Sequence, residues 1–226
     1  MLLLSTLVWA QRDSIPNGYP HSLHADLTSL TAELAQHPDN VPLLLQLSEL
    51  HLNMGDDLFT ENPHRLSAYE AGARHAKQAM ALEALNAEAH FLYAANLGNA
   101  TRLKSYAIGM INIKEILLHV RQALTLDPTH APAHQMLGGL LAKLPWMLGG
   151  DEEKAQHHLE QAIAIDERYT NARLLLAKLF IKQNKQEAAR KQLLAVIQAT
   201  HPHYPYTWTH HFLPEAHNLL STLDAR

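Results

Sequence analysis

The sequence predicts an all-α protein, a solenoid of about four antiparallel helix pairs with elongated inter-helix insertions and flanking helices. Three observations predict it. Apolar residues recur at three- and four-residue spacing almost everywhere, and no window shows sustained strand alternation. Composition is helical, with Ala, Leu, Gln and His abundant and only 9 glycines and 6% aromatics among 226 residues. Four segments are also self-similar, which is the mark of a repeat array. A hydrophobic fraction of 47% against 18% charged residues is globular rather than disordered. The net charge of −4 leaves no basic excess for phosphates and argues against a nucleic-acid partner.

Taken in chain order, residues 1–10 come first. "LLLSTLVWA" is apolar, ends in Val8-Trp9-Ala10 and is followed by "QRDS", the outline of a secretory signal peptide lacking its basic n-region. The expectation is a periplasmic or exported protein, with a cytoplasmic one as the alternative. No other run approaches the roughly 18 apolar residues a membrane span needs, so no span is expected in the mature chain. The absence of cysteine excludes disulfides, thiol catalysis and Cys-based zinc sites. Residues 11–40 form an N-terminal half-repeat, in which "SLHADLTSLTAELAQHPDN" reads as the second helix of a pair. The array proper covers 41–203, with units near 41–86, 87–130, 131–169 and 170–203. Residues 204–226 close the chain: an aromatic connector from "THPHYPYTWTHHF", expected to fold against the end of the array, then a helix with Pro214 in its first turn.

Each unit opens a helix and places a small residue where helices must approach: Ser48, Ala94, Gly138 and Ala177. Each continues into a second helix with an Ala-rich seam, carried by Gly72-Ala76-Ala79, Ile116-Val120-Ala123, Ala155-Leu159-Ala162 and Ala189-Leu193. Small residues let paired helices touch, and larger apolar ones fill the groove between them. The pattern resembles the tetratricopeptide repeat (TPR), W-x2-L-G-x2-Y then A-x3-F, and the third unit matches best through Leu137, Gly138, Leu141, Ala155 and Leu159. The small residues lie 46, 44 and 39 residues apart, whereas a TPR repeats every 34. The gap from small residue to second-helix signature is 24, 22, 17 and 12 residues, so the first three units carry extra residues between their helices. Insertions gathered on one edge are expected to build a binding or assembly surface.

One stretch carries a narrower resemblance. "LPWMLGG" followed by "DEEKAQHHLEQAIAID" is similar to the T-component proteins of TRAP transporters, through Pro145, Met147, Leu148, Gly149, Gly150, Lys154, Ala155, Ala162 and Ile163. That resemblance implies a periplasmic, non-enzymatic protein that associates with a solute-binding protein and forms homo-oligomers with a ligand-accessible channel.

The same stretch, Gly149-Gly150-Asp151-Glu152-Glu153, is close to the GGDEF signature of diguanylate cyclases. It reads as punctuation instead, because "KAQHHLEQAIAID" continues with helical period where the signature needs a β-hairpin. A phosphate loop is excluded too: no Lys-Ser/Thr follows the glycines, and three acids crowd the helix start. Gly149 and Gly150 permit a turn, Asp151 caps the helix, and Trp146 and Met147 are expected to plug the inserted edge.

No Ser-His-Asp order or paired catalytic carboxylates stand out, so neither enzymatic activity nor a cofactor is expected. Ligand or partner contacts are expected on the concave face and inserted edge, from Phe91, Asn99, Arg102, Lys104, Gln135, Trp146, Lys178 and Lys182, with Glu49 and Asn53 on the same side. The four cations would meet a carboxylate or an acidic segment of a protein partner, or a small ligand. Histidines, 17 in 226 residues, raise the alternative of a metal-handling protein, with His201, His203, His210 and His211 as the group that a folded-back connector could bring together.

Overall fold

A computed structural model describes residues 14–104 and 106–225. Among them every regular element is helical, as the sequence predicts, and no helix is long and apolar enough to cross a membrane. Residues 1–10, read as a signal peptide, lie outside the described residues. The chain divides into two compact units, one of Asn17–Ala133 and one that begins at His134.

The first unit contains α1 (Leu23–Gln36), α2 (Val41–Asn53), a π-helical turn (Met54–Leu58), α3 (Asn62–Leu82), α4 (Ala87–Lys104) and α5 (Tyr106–Leu126). The helix α1 lies within the segment read as a half-repeat. Starts are fixed by caps: the Asn40 side chain accepts from the Leu43 amide at 3.1 Å, and Asn86 accepts from Ala89 at 3.0 Å. The core is where the repeat signature puts it, with Ala76, Ala79, Val120 and Ala123 each 0% exposed. The excess residues of the first two units do not form loops. They lengthen helices, so that α3 and α5 have 21 residues each and α4 has 18. The insertions carry helical periodicity of their own, and extending an existing helix needs no new nucleus.

The π turn that continues α2 is held by side chains of α3. Gly55 packs against Tyr69, whose ring carbon lies 2.3 Å from where a Cβ would sit. Arg65 donates to the Gly55 carbonyl at 2.9 Å, and the Tyr69 hydroxyl donates to Asp56 at 2.7 Å. These contacts satisfy groups that the wide turn takes out of the α-helical ladder.

In the second unit α6 (Ala131–Lys143, from His134 onward) leads through a 3-10 turn (Trp146–Leu148) to α7 (Glu152–Ile165), α8 (Thr170–Lys182) and α9 (Gln186–Ile197). A short helix α10 (Pro205–Thr207), a π turn (Trp208–Phe212) and α11 (Leu213–Asp224) complete it. The pair α8–α9 has the ordinary dimensions, 13 and 12 residues, joined through Asn184 at φ 57°. Gly138 touches α7 directly: a Cβ there would lie 2.7 Å from Leu159 and 3.0 Å from the Ala155 carbonyl. The connector folds onto the last pair as expected, with the Trp208 indole donating to the Val196 carbonyl at 2.9 Å.

Candidate binding site

The stretch from Pro145 to Asp151 forms a turn that depends on its two glycines. The amides of Leu148 and Gly150 donate to the Pro145 carbonyl at 2.9 and 3.0 Å, and the Asp151 amide donates to Leu141 at 3.1 Å. Gly149 takes φ 89°, and a Cβ on Gly150 would lie 1.8 Å from the Leu144 carbonyl oxygen. Asp151 caps α7 by accepting from the Lys154 amide at 3.0 Å, and the Lys154 side chain beside it holds its carboxyl below the usual range. The stretch is punctuation, and it has a second consequence. A cleft of about 330 Å³ opens beside the turn, lined by Leu141, Leu144, Pro145, Trp146, Gly150, Glu152 and Lys182. Trp146, which lines the cleft, and its neighbour Met147 do not plug this edge: they are 82% and 75% exposed. An exposed Trp beside an exposed Met is a surface feature that internal packing does not account for.

The predicted cations occupy their expected elements, and each meets a group of this chain. Lys182 pairs with Glu152 at 2.8 Å, which holds that carboxyl below its usual range, and Lys178 pairs with Glu215 at 2.6 Å. In the first unit Lys104 pairs with Glu70 at 2.6 Å, and Arg102 donates to Asn99 at 3.4 Å. Gln135 is half-buried on α6. Phe91, half-buried on α4, lies 4.9 Å ring to ring from His130. His130 in turn contacts Glu88 at 2.8 Å and caps α6 by accepting from the Ala133 amide at 3.1 Å. Glu49 is 7% exposed on α2, and burial together with the Glu88 charge pushes its carboxyl up to about 8.

The histidines pair across helices rather than converge. His90 and His119 meet Nδ1 to Nδ1 at 2.8 Å, His134 and His158 at 2.9 Å, and His51 stacks on His75 at 5.6 Å. An Nδ1-to-Nδ1 hydrogen bond needs one donor and one acceptor ring, so each such pair holds a neutral acceptor. In the group offered for metal, His203 contacts Asp166 at 2.8 Å, His210 contacts the Tyr206 carbonyl at 2.9 Å, and His201 and His211 are exposed. Among the described residues no group of three or more His, Asp or Glu side chains is placed to hold a metal ion.

Sequence reasoning also missed a buried polar bridge in the first unit. Ser48 donates to the Gly72 carbonyl at 2.9 Å, and the Asn96 amide donates to the Ser48 carbonyl at 3.2 Å and to Leu92 at 3.0 Å. The Ser48 hydroxyl, which donates to α3 and accepts from Asn96 of α4 at 3.2 Å, ties three helices. Asn96 is the lone polar residue in the apolar run "FLYAANL", and that was the available signal.

Comparison with known families fits this architecture. The sequence matches the family described as regulator of microtubule dynamics protein 1–3 over residues 10–147, and a tetratricopeptide repeat family over residues 147–208. The chain belongs to the regulator of microtubule dynamics protein 1–3 family. Its TPR character extends to solved structures. The chain is similar to TTC0263, a thermophilic TPR protein in Thermus thermophilus, with TM-score 0.65 and 16% identity over 91% of this chain and 92% of that one. It is also similar to two structures of MamA, each at TM-score 0.51. One shares 15% identity over 91% of this chain and 93% of that one. The other shares 17% over 79% and 83%. No curated protein sequence matches it. At these identities the structures speak for the fold of this regulator-family chain alone.

Proposed function

We propose that the protein is a non-enzymatic TPR scaffold that binds a protein partner at the Trp146–Met147 edge of its second unit. The observation that carries this reading is the exposure of those two side chains, 82% and 75%, beside a cleft of about 330 Å³. Aromatic and Met side chains are enriched at the centres of protein interfaces, and an extended segment laid along the turn would bury both. The paired charges around the cleft, Lys182 with Glu152 among them, form a polar rim.

Two partner classes give this reading a sharper form. The family is named for regulation of microtubule dynamics, which makes the microtubule one candidate. The resemblance of Pro145–Ile163 to TRAP T-components makes a periplasmic solute-binding protein the other, together with homo-oligomers, a small ligand and export through residues 1–10. Co-sedimentation with assembled microtubules tests the first, and co-purification from periplasmic extract tests the second. In whichever assay binding appears, the double variant Trp146→Ala, Met147→Ala is expected to lose it while melting at the wild-type temperature. Undiminished binding by that variant would contradict the assigned edge.

A further inference from the structure

The cations that suggested an anionic ligand already have partners in this chain, whereas Glu49 presents the opposite situation. On α2 it lies one turn from Leu45 and nearly one turn from Leu52, both of which pack against the cluster of Ala76 on α3 with Leu92 and Tyr93 on α4. That spacing puts Glu49 on the face of α2 that packs against α3 and α4. The residue is 7% exposed, and its Oε2 is buried with no hydrogen-bond partner. The charge that reaches it is of the same sign, Glu88 on α4, itself in contact with His130 ahead of α6. Phe91, nearly one turn beyond Glu88, supplies an aromatic face against the same His130.

A buried carboxyl with no donor destabilises the fold that holds it, most of all when ionised. Leu at this position would extend the Leu45–Leu52 face without that cost. The arrangement gains a purpose when a cation enters: two carboxylates and an aromatic ring are the chemistry that receives an ammonium or guanidinium group. We propose that Glu49, with Glu88 and Phe91, is the receptor for a lysine or arginine side chain of a partner segment lying along α2 and α4. The inference rests on the scaffold reading and names the chemistry of its partner in the first unit. Because burial keeps Glu49 protonated at neutral pH, entry of the cation releases its proton.

The test uses the full chain, with the Glu49 carboxyl followed by carbon NMR and assigned through Glu49→Gln. The probe is n-butylguanidinium, with n-butanol and sodium chloride as controls. Saturating probe is expected to lower the Glu49 titration midpoint by about one unit or more, a coupling of about tenfold, while neither control moves it. Glu49→Gln is expected to bind the probe about tenfold more weakly or worse and to melt at or above the wild-type temperature. A midpoint that the probe leaves in place overturns the proposal. So does a marked fall in the melting temperature of Glu49→Gln, which would make the carboxyl part of the fold. The scaffold reading fails separately, through the Trp146–Met147 variant, since the probe needs no protein partner.

Discussion

The helix pairs α2–α3 and α8–α9 share a signature but differ in how their interiors are joined. In the first, Ser48, Gly72 and, from α4, Asn96 add a buried chain of hydrogen bonds to the apolar contacts, and His51 stacks on His75. In the second, Leu174, Leu176, Ala177, Ala189 and Leu193 make an apolar seam, each at most 2% exposed. The histidine positions of α3, α5 and α7 (His75, His119 and His158) follow Gly72, Ile116 and Ala155 by three residues, and the same place in α9 is Gln192, which accepts from Arg173 at 3.4 Å. One backbone pattern therefore carries two kinds of interior. The polar kind is directional and sensitive to protons, while the apolar kind depends only on volume.

The largest expected effect breaks the polar interior. A Cβ at Gly72 would lie 2.3 Å from the Asn96 side-chain oxygen, and that side chain is held by its own hydrogen bonds. Gly72→Ala is expected to cost about 2–4 kcal/mol, measured by urea unfolding. Acid comes next. Burial, with His75 and Arg74 adding to it, lowers His51 from 6.5 to about 4. A His held neutral in the fold gives stability that is complete above pH 6.5 and is lost as pH falls toward 4. That loss is on the order of 3 kcal/mol. Glu49, raised to about 8, works the other way, its penalty growing as pH rises from about 4.5 toward 8. The clean observable is thus the difference between wild type and His51→Leu: that difference should change between pH 7 and pH 4, and a constant difference would remove the histidine from the account.

Smaller effects sharpen the contrast. At the apolar pair Ala189→Gly is expected to cost about 1 kcal/mol by urea unfolding, the ordinary helix penalty with no hydrogen bond at stake. A loss as large as that of Gly72→Ala would erase the distinction between the two interiors. At the exposed edge Trp146→Ala with Met147→Ala is expected to change stability by no more than about 0.5 kcal/mol in the same assay.

The helical class and the register of the repeat were legible because burial repeats: Ala76, Val120, Leu159 and Leu193 all occupy the same place in their pairs and are 0% exposed. The turn at Gly149-Gly150-Asp151 was legible because φ and capping are local. What lay between the helices was not. Gaps of 24 and 22 residues give the same count whether they form loops or longer helices, and the length of α3, α4 and α5 follows from packing that no single window contains. Pairings such as His90 with His119 join residues 29 apart, although the shared register of His75, His119 and His158 pointed to them. The charge state of the candidate groove was hidden for the same reason, since whether a Lys is paired or a Glu is left without a donor depends on the neighbouring helix.

The central claim is that a partner docks on the rim of the second unit. Photocrosslinking from position 147 in cells tests it most directly, with the exposed position 191 on α9 as the control. The account predicts a discrete protein adduct from position 147 that is missing from position 191. The same adducts from both positions, or none from position 147, would contradict it.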